Sequence, residues 1–340
     1  MRHSTACNSA SERLVRRWYE AGRPSAWLLP LSWLFGVVVR LRRLAFRVGL
    51  ARVERSLRPV IVIGNLTVGG SGKTPLVIWL AQQLQQRGLR PAVISRGYGR
   101  SVKGARRLGP EDTAETVGDE PLLVARRTGM PVAVGERRID AARLVEGDCD
   151  LILSDDGLQH YNLHRDAEIV VMDGRRGLGN AHLLPAGPLR EPPERLAEVD
   201  ALVCTGTLPP ASGGVLMTLQ SMRWVPLAGG EAQPPSAMAG RRAHVLAGIG
   251  NPDRFFEHLR SLGVEVIPLP LRDHGVPTAG EVDFADELPI LMTEKDAVKY
   301  PHPVDGRHWY LEVQAVIDPV GTERLLGVVD RVLETVSAGR

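Results

Sequence analysis

The stretch PVIVIGNLTVGGSGKTP (Pro59–Pro75) joins a short apolar run to a glycine-rich turn. The common phosphate-loop pattern requires a glycine five residues before Gly72, but Thr67 occupies that position. The physical requirement is weaker than the pattern, because phosphate binding needs only a strand end, exposed backbone N–H groups and the start of a helix. The stretch therefore predicts a phosphate-binding loop between a strand and a helix.

The residues of this turn suit the phosphate groups of a nucleotide. Lys73 can reach the β- and γ-phosphates, and the Thr74 hydroxyl can ligate Mg²⁺. Only four of the 42 basic residues are lysines, which argues against a chance lysine in a glycine-rich turn. The predicted binding loop comprises Thr67, Val68, Gly69, Gly70, Ser71, Gly72, Lys73 and Thr74.

Short β-branched runs alternate with helical patterns along the following part of the chain. The runs that predict strands are PVIVIG, PAVIS, PVAVG, DLILSDD, AEIVVMD and ALVCTGT. Helical patterns lie near residues 75–87, 119–128, 136–146 and 191–198. This alternation predicts an α/β fold of the P-loop NTPase type, with a mainly parallel sheet and helices on both faces.

A second α/β pattern begins at AHVLAGIG (residues 243–250) and predicts a smaller C-terminal domain. The stretch between the two patterns is rich in Gly, Pro, Ser and Ala, which is typical of a linker with short strands. A length of 340 residues also favours about two domains. The predicted regions are an N-terminal extension with a membrane-associated helix (1–55), a P-loop domain (56–206), the linker (207–240) and the C-terminal domain (241–340).

The charge of the chain is concentrated near its N-terminus. The net charge is +3, but residues 1–60 hold twelve arginines and three glutamates, a net charge of +9. A nucleic-acid-binding protein is expected to carry its basic patch on the folded body, so we expect no nucleic-acid partner. The three cysteines show no disulfide framework or zinc spacing, which suits a reducing compartment.

The N-terminal arginines flank the uncharged stretch AWLLPLSWLFGVVV (Ala26–Val39). As a helix, its 14 residues span about 21 Å, which is less than the hydrocarbon core of about 30 Å. Arg40, Arg43 and Arg47 follow it on one helical face, and three of the six tryptophans lie in this region. This pattern predicts a helix that lies in one leaflet of an anionic membrane surface. The alternative is a buried core helix.

The run DLILSDDGLQH (Asp150–His160) is the natural partner of the phosphate loop. An apolar strand that ends in carboxylates can place Asp155 or Asp156 beside the Mg²⁺ held by Thr74. The alternative is an ordinary Asp-Asp-Gly turn without a metal. His160 either contacts a ligand or is a loop residue.

Two further motifs carry candidate catalytic groups. In GDEPLL (Gly118–Leu123), Asp119 is either the N-cap of a helix or a base that accepts a hydroxyl proton during phosphoryl transfer. In RDHG (Arg272–Gly275), His274 titrates near neutral pH and could assist a carboxylate base. The alternative for RDHG is a polar loop.

Three other loops that follow predicted strands contain arginines: SRGYGR (Ser95–Arg100), GERR (Gly135–Arg138) and LLPAGPLREP (Leu183–Pro192). Open α/β sheets bind their ligands at these strand ends. Arginine binds anionic groups through two parallel hydrogen bonds, so each loop is a candidate contact to an anionic ligand.

Taken together, these motifs resemble the lipid A 4′-kinase (tetraacyldisaccharide 4′-kinase) family. The resemblance covers most of the chain, from the basic N-terminal helix to the late motif TEKDAVK. It implies transfer of the γ-phosphoryl group of ATP, with Mg²⁺, to the 4′-hydroxyl of a tetraacyl glucosamine disaccharide 1-phosphate in lipid A biosynthesis. It also implies a location on the cytoplasmic face of the inner membrane, and we expect a monomer.

The resemblance also implies roles for single residues. Lys73 and Thr74 bind phosphates and Mg²⁺, Asp155 or Asp156 lies near the metal, and Asp119 with His274 resembles the family's catalytic pair. The residues that fall where the family lines its substrate site are Tyr98, Glu120, Arg138, His160, Arg190 and Glu191.

Two rival functions belong to other classes. A P-loop switch or partitioning ATPase at the membrane often carries an extra lysine before the paired glycines, whereas this chain has Val68 there. A non-catalytic membrane-anchored scaffold would not need Lys73, Thr74 and a pair of aspartates at a strand end. ATP consumption that depends on a lipid acceptor separates all three functions.

Overall fold

The computed structural model describes residues 10–19, 24–209, 213–271, 275, 277, 282, 284–300 and 305–338. Twelve strands form one sheet within this part of the chain. In chain order they are β1 (Val60–Gly64), β2 (Pro91–Ser95), β3 (Arg106–Arg107), β4 (Val132–Val134), β5 (Leu151–Asp155), β6 (Ala167–Asp173), β7 (Ala201–Thr205), β8 (Val215–Pro226), β9 (Arg242–Ala247), β10 (Glu265–Pro270), β11 (Ile290–Thr293) and β12 (His308–Ile317).

Nine α-helices and three short 3₁₀ helices lie in the described residues. The α-helices are α1 (Ala10–Tyr19), α2 (Leu29–Arg47), α3 (Lys73–Gln86), α4 (Ala114–Val117), α5 (Asp119–Thr128), α6 (Arg138–Arg143), α7 (Pro252–Ser261), α8 (Glu294–Ala297) and α9 (Pro319–Ala338). The 3₁₀ helices are Ala26–Leu28, Pro193–Glu198 and Pro235–Met238.

The strand order of the sheet is β10-β9-β11-β12-β8-β7-β6-β1-β5-β2-β4-β3. The named strands pair in parallel except at β12–β8 and β3–β4. The 12-residue strand β8 pairs with β7 on one side and with β12 on the other, so it joins the two halves of the sheet. Because β1 lies between β5 and β6, its loop is central in the first half.

Helices cover both faces of the first half of the sheet. Helices α3, α5 and α9 pack their apolar side chains onto one face, around Ile61, Leu153 and Val203. Helix α6 packs onto the other face, around Val62 and Ile152. Strand β1 is buried at all five positions, as expected for a strand with helices on both sides. The predicted fold class, an α/β fold with a mainly parallel sheet, is confirmed.

The predicted domain boundaries stay a prediction, but the structure adds two facts. Strand β8 lies inside the predicted linker. Helix α9, from the predicted C-terminal domain, packs onto the core of the first half through Leu325 and Val329. The predicted helix near residues 191–198 is the 3₁₀ helix Pro193–Glu198.

Candidate active site

The candidate site lies at the carboxyl ends of the parallel strands in the first half of the sheet. The loop after β1 is the predicted phosphate loop, and the Asp-Asp pair ends β5. The three arginine-containing loops follow β2, β4 and β6, in SRGYGR, GERR and LLPAGPLREP respectively. Parallel pairing places all five loops at the same edge of the sheet.

The phosphate loop has the backbone geometry that the sequence predicts. Gly69 and Gly72 have φ values of 100° and 92°, which only glycine adopts without strain. Gly72 caps α3, which begins at Lys73. The Thr205 hydroxyl, at the end of β7, donates a hydrogen bond of 2.8 Å to the Ser71 carbonyl. The glycine-rich turn therefore leads directly into the N-terminus of α3, which is the arrangement that phosphate binding requires.

Thr67, which replaces the usual glycine, has a structural partner. It forms an isolated antiparallel bridge with Leu189. The next residue, Val68, donates its N–H to the Pro188 carbonyl at 2.9 Å. The start of the phosphate loop is thus held in extended conformation by the loop that follows β6, and extended backbone requires no glycine.

Lys73 points towards the end of β5. Its Nζ lies 3.4 Å from Asp156 Oδ1, and Arg190 Nη1 lies 3.4 Å from the same oxygen. Burial would raise the pKa of Asp156, but Lys73 and Arg190 outweigh burial and hold that pKa below its usual value. Asp156 has a φ of 49°, an uncommon conformation for a non-glycine residue that is often found at functional sites.

Asp155 is in a different environment from its neighbour. It is 1% exposed, and its Oδ1 has no hydrogen-bond partner among the described residues. Burial, followed by the nearby carboxylate of Glu120, raises the pKa of Asp155 to about 7. A buried carboxylate without a partner is costly, so this oxygen is suited to a cation.

The residues around Asp155 fit Mg²⁺, as the sequence predicts. The described residues contain no group of three or more His, Cys, Asp or Glu side chains able to hold a metal by themselves. Mg²⁺, however, is usually bound by one or two carboxylates together with substrate phosphates and water. Asp155, Asp156 and the Thr74 hydroxyl at the start of α3 supply oxygen ligands of this kind.

Asp119 lies in the first turn of α5 rather than before it. Gly118 occupies the N-cap position, and the Asp119 side chain accepts a hydrogen bond from the Glu120 N–H at 2.9 Å. Asp119 is 5% exposed, and two ammonium groups flank it: Lys295 Nζ at 3.8 Å and Lys299 Nζ at 3.9 Å. The carboxylate is therefore held by two cations as well as by α5, and its role as a base stays a prediction.

Lys295 and Lys299 were not predicted as site residues. Both belong to TEKDAVK, and Lys295 also pairs with Glu120 at 2.9 Å. Lys299 donates to Asp296 at 2.8 Å and to the carbonyl of Gly275 at 3.2 Å. The rarity of lysine was the available signal, since three of the four lysines lie beside a predicted site carboxylate: Lys73 beside Asp156, and Lys295 and Lys299 beside Asp119. The predicted partner His274 lies outside the described residues.

The six predicted substrate residues differ in their surroundings. Tyr98 is exposed at the sheet edge, whereas Arg138 is 1% exposed and donates hydrogen bonds to the carbonyls of Gly135 and Asp156. His160 is half-buried, and burial, with the nearby charge of Arg138, lowers its pKa to about 4. Glu120 forms an ion pair with Lys295, and Arg190 forms one with Asp156.

Glu191, the sixth predicted substrate residue, is buried in a polar network. It is 1% exposed and accepts hydrogen bonds from the Tyr161 hydroxyl at 2.5 Å and from the Gln159 amide at 2.8 Å. Arg195 Nε lies 3.4 Å from its carboxylate, and Arg43 of α2 lies 4.0 Å away. These contacts give Glu191 a structural role between α2 and the site loops, and its contact with substrate stays a prediction.

Helix α2 packs on the site through its small residues and exposes its apolar side. The Ser32 hydroxyl donates to the Leu183 carbonyl at 2.7 Å, and Gly36 packs against the Leu183 side chain. The outward side chains recur every three or four residues and are each more than half exposed: Leu31, Leu34, Val38, Leu41 and Leu44. The alternative of a buried core helix is therefore wrong. None of the described helices is long and apolar enough to cross a membrane.

Comparison with known proteins gives one consistent family. Residues 24–330 match the family model for tetraacyldisaccharide-1-P 4′-kinase. The tetraacyldisaccharide 4′-kinase of Methylobacillus flagellatus is 46% identical over 331 residues, which cover 96% of this chain and 98% of that protein. The corresponding protein of Pseudomonas aeruginosa PAO1 is 47% identical over 315 residues, or 92% of this chain and 95% of that protein.

A solved structure agrees with these sequence relatives. LpxK from Aquifex aeolicus, crystallised in complex with ATP, superposes with a TM-score of 0.76 at 29% identity. The match covers 91% of this chain and 99% of that chain.

Proposed function

Because the chain belongs to the tetraacyldisaccharide-1-P 4′-kinase family, we propose that it transfers the γ-phosphoryl group of ATP to the 4′-hydroxyl of a tetraacyl glucosamine disaccharide 1-phosphate. The observation that carries this proposal is the meeting of a phosphate loop and a candidate base at one sheet edge. Lys73 Nζ lies 3.4 Å from Asp156 Oδ1. Asp119 is the first residue of α5, and the carboxylate of the next residue, Glu120, contributes to the raised pKa of Asp155.

Phosphoryl transfer requires positioning and charge stabilisation more than covalent chemistry by the protein. The glycine-rich loop binds the ATP phosphates through backbone N–H groups, and Lys73 contacts the β- and γ-phosphates. Arg190 contributes a second positive charge beside Asp156. When Mg²⁺ is bound, it neutralises charge on the phosphates, and Thr74 with Asp155 and Asp156 holds it.

Asp119 accepts the proton of the acceptor hydroxyl in this proposal. Its carboxylate is fixed by the Glu120 N–H and by its own position at the start of α5. Lys295 and Lys299 hold the same carboxylate from α8 and the residues after it. His274 assists Asp119, as the resemblance implies. Lys299, which lies beside Asp119, donates a hydrogen bond to the carbonyl of Gly275, the residue that follows His274 in the sequence.

The acceptor is held by residues around this base. Tyr98, Glu120, His160 and Arg190 line the approach to Asp119 and Lys73, and Arg138 supports the loop after β4. The low pKa of His160, about 4, keeps its imidazole neutral at physiological pH, so it acts through hydrogen bonds rather than through charge.

The protein works at the cytoplasmic face of the inner membrane, as a monomer. Support comes from the exposed apolar side of α2, where Trp33 is 72% exposed and Leu41 is 60% exposed. Arginines of the same helix reach anionic headgroups at the rim of that face. A helix of this kind lies in one leaflet, which is where the four-chain acceptor resides.

Incorporation of radiolabelled phosphate distinguishes the kinase from its rivals. Purified protein in detergent is incubated with Mg²⁺, ATP labelled at the γ-phosphate and tetraacyl disaccharide 1-phosphate. We expect label in the lipid and ATP consumption that depends on the lipid. ATP hydrolysis without lipid labelling would indicate a switch or partitioning ATPase, and no ATP consumption would indicate a scaffold.

A further inference from the structure

Helix α1 lies outside residues 24–330, which match the family model, yet its last turn packs on the candidate site. Trp18 is 6% exposed, and its indole N–H donates to the Pro185 carbonyl at 3.2 Å. The Trp18 carbonyl accepts the Asn180 N–H at 2.9 Å. Both contacts are with the loop that follows β6, so α1 is fixed to the loop that also holds the start of the phosphate loop.

Tyr19, the last residue of α1, reaches the phosphate loop itself. Its hydroxyl donates a hydrogen bond of 3.4 Å to the Val68 carbonyl. The Thr67 side chain hydrogen-bonds to the same hydroxyl. Burial raises the pKa of Tyr19, so the hydroxyl keeps its proton at neutral pH and remains a donor. The side chain of Tyr19 therefore contacts the two residues that open the phosphate loop.

The ring of Tyr19 contacts a cation from the loop that follows β6. The guanidinium carbon of Arg176 lies 4.9 Å from the centroid of the ring, within the range of a cation–π interaction. The backbone N–H of Arg176 donates to Asp173 Oδ1 at 3.2 Å, and Asp173 is the last residue of β6. Strand β6 pairs with β1, the strand before the phosphate loop. Tyr19 is therefore anchored to the part of the sheet that carries this loop.

The contact with Tyr19 fixes a peptide group of the phosphate loop. In a planar trans peptide, the C=O and the following N–H point to opposite sides. Tyr19 holds the Val68 carbonyl, and the Asn65 side-chain amide donates to the Gly69 carbonyl at 3.3 Å. The N–H groups of Gly69 and Gly70 are therefore turned away from these two side chains. Glycine has many backbone conformations, so side-chain contacts of this kind select the one in which the N–H groups can bind phosphate.

We propose that Tyr19 is a positioning residue for ATP binding: its hydroxyl holds the peptide between Val68 and Gly69 so that the N–H groups of the glycine-rich turn face the phosphates. This inference rests on the proposed function, which makes Thr67–Thr74 the ATP-binding loop. A glycine-rich loop loses conformational entropy when it binds a ligand, and a contact that orders the loop beforehand reduces that cost. Helix α1 thereby supports the nucleotide site from outside the residues that match the family model.

The test measures calorimetrically how the intact protein binds a non-hydrolysable ATP analogue with Mg²⁺, alongside kinetics with ATP and the tetraacyl acceptor. The variants are Tyr19→Phe, which removes the hydroxyl and keeps the ring, and the matched control Tyr310→Phe on β12. For Tyr19→Phe we expect the Kd of the analogue and the KM of ATP to rise about twofold to tenfold, the usual net loss for one hydrogen bond. The kcat at saturating ATP and the KM of the acceptor should stay at their wild-type values, because the lost contact acts on ATP binding.

Three results would overturn the inference: an unchanged Kd for Tyr19→Phe, an equal rise in the KM of ATP and of the acceptor, or the same rise in Kd for Tyr310→Phe. Arg176→Gln is a second variant, which removes the cation beside the ring and keeps the hydroxyl. It should raise the Kd in the same direction, and if Tyr19→Phe does not fold, an unchanged Kd for Arg176→Gln overturns the inference instead. Wild-type protein that binds no analogue and labels no lipid would refute the proposed function and this inference with it. Wild-type binding and labelling, together with an unchanged Kd for Tyr19→Phe, would refute this inference alone.

Discussion

Replacing Asp155 by asparagine should stabilise the protein in the absence of nucleotide and magnesium, although it removes a proposed metal ligand. The side chain is 1% exposed, and its pKa is raised from 3.8 to about 7 by burial and by Glu120. In the unfolded chain the carboxyl ionises near its usual pKa. Above pH 7 both states hold the charged form, and the folded state bears its cost; as the pH falls below 7, the folded state takes up a proton and recovers stability.

The size of the effect follows from the two pKa values. At 1.36 kcal/mol per pKa unit, the raised pKa of Asp155 lowers the free energy of unfolding by about 4 kcal/mol at pH 8 and by about 2 kcal/mol at pH 5. Asparagine has no such titration. The free energy of unfolding of Asp155→Asn, relative to wild type, should therefore rise by roughly 2–3 kcal/mol between pH 5 and pH 8.

Urea denaturation at pH 5 and pH 8, without nucleotide or magnesium, measures this difference. Asp330→Asn is the control, because Asp330 lies on the exposed side of α9 in an ion pair with Arg87; its difference from wild type should be nearly independent of pH. Adding Mg²⁺ with a non-hydrolysable ATP analogue should stabilise wild type more than Asp155→Asn. The reasoning is refuted if the relative stability of Asp155→Asn is the same at both pH values or falls as the pH rises.

Three further predictions concern the loop, the base and the helix. Lys73→Ala should lower kcat by about a hundredfold or more, as for other groups that stabilise transferred charge. The control is Lys103→Ala, at an exposed lysine. A kcat for Lys73→Ala within a few-fold of wild type would contradict the loop assignment. Asp119→Asn should lower kcat roughly 10²–10⁴-fold. Because Asp119 lies between Lys295 and Lys299 and not at the N-cap, the melting temperature is measured alongside kcat to confirm folding; near-normal kcat in the folded variant would leave only a structural role. Leu41→Glu should reduce the fraction of protein that sediments with anionic vesicles. The control Val320→Glu, at a 75% exposed position on α9, should not reduce it. Equal sedimentation of the two variants would argue against membrane contact through α2.

The sequence by itself determined the conformation of the predicted phosphate loop and the ends of the strands around it. A strand, a glycine-rich turn and a helix are set by residues within a few positions of one another, so Pro59–Pro75 contains all the information that its local conformation requires. The position of the Asp-Asp pair at the end of β5 is likewise set by the residues next to it in the sequence. The alternation of apolar runs and helical patterns likewise predicted the α/β class, because burial on both faces requires continuous apolar strands.

The tertiary structure alone decided which distant side chains meet and which surfaces stay exposed. Lys295 pairs with Glu120 across 175 positions of sequence, and no local pattern encodes that contact. The apolar pattern of α2 is the same whether the helix is buried or exposed; packing of Ser32 and Gly36 on the loop after β6 leaves Leu34 and Leu41 outward. The resemblance placed Glu191 at the substrate site, and the loop SRGYGR offered its arginines as candidate contacts to an anionic ligand. Folding gave the Glu191 carboxylate the partners Tyr161, Gln159 and Arg195. It left Arg100 Nη1 and Nη2 without a hydrogen-bond partner among the described residues, because satisfaction of a polar group depends on what the rest of the chain brings within hydrogen-bond distance.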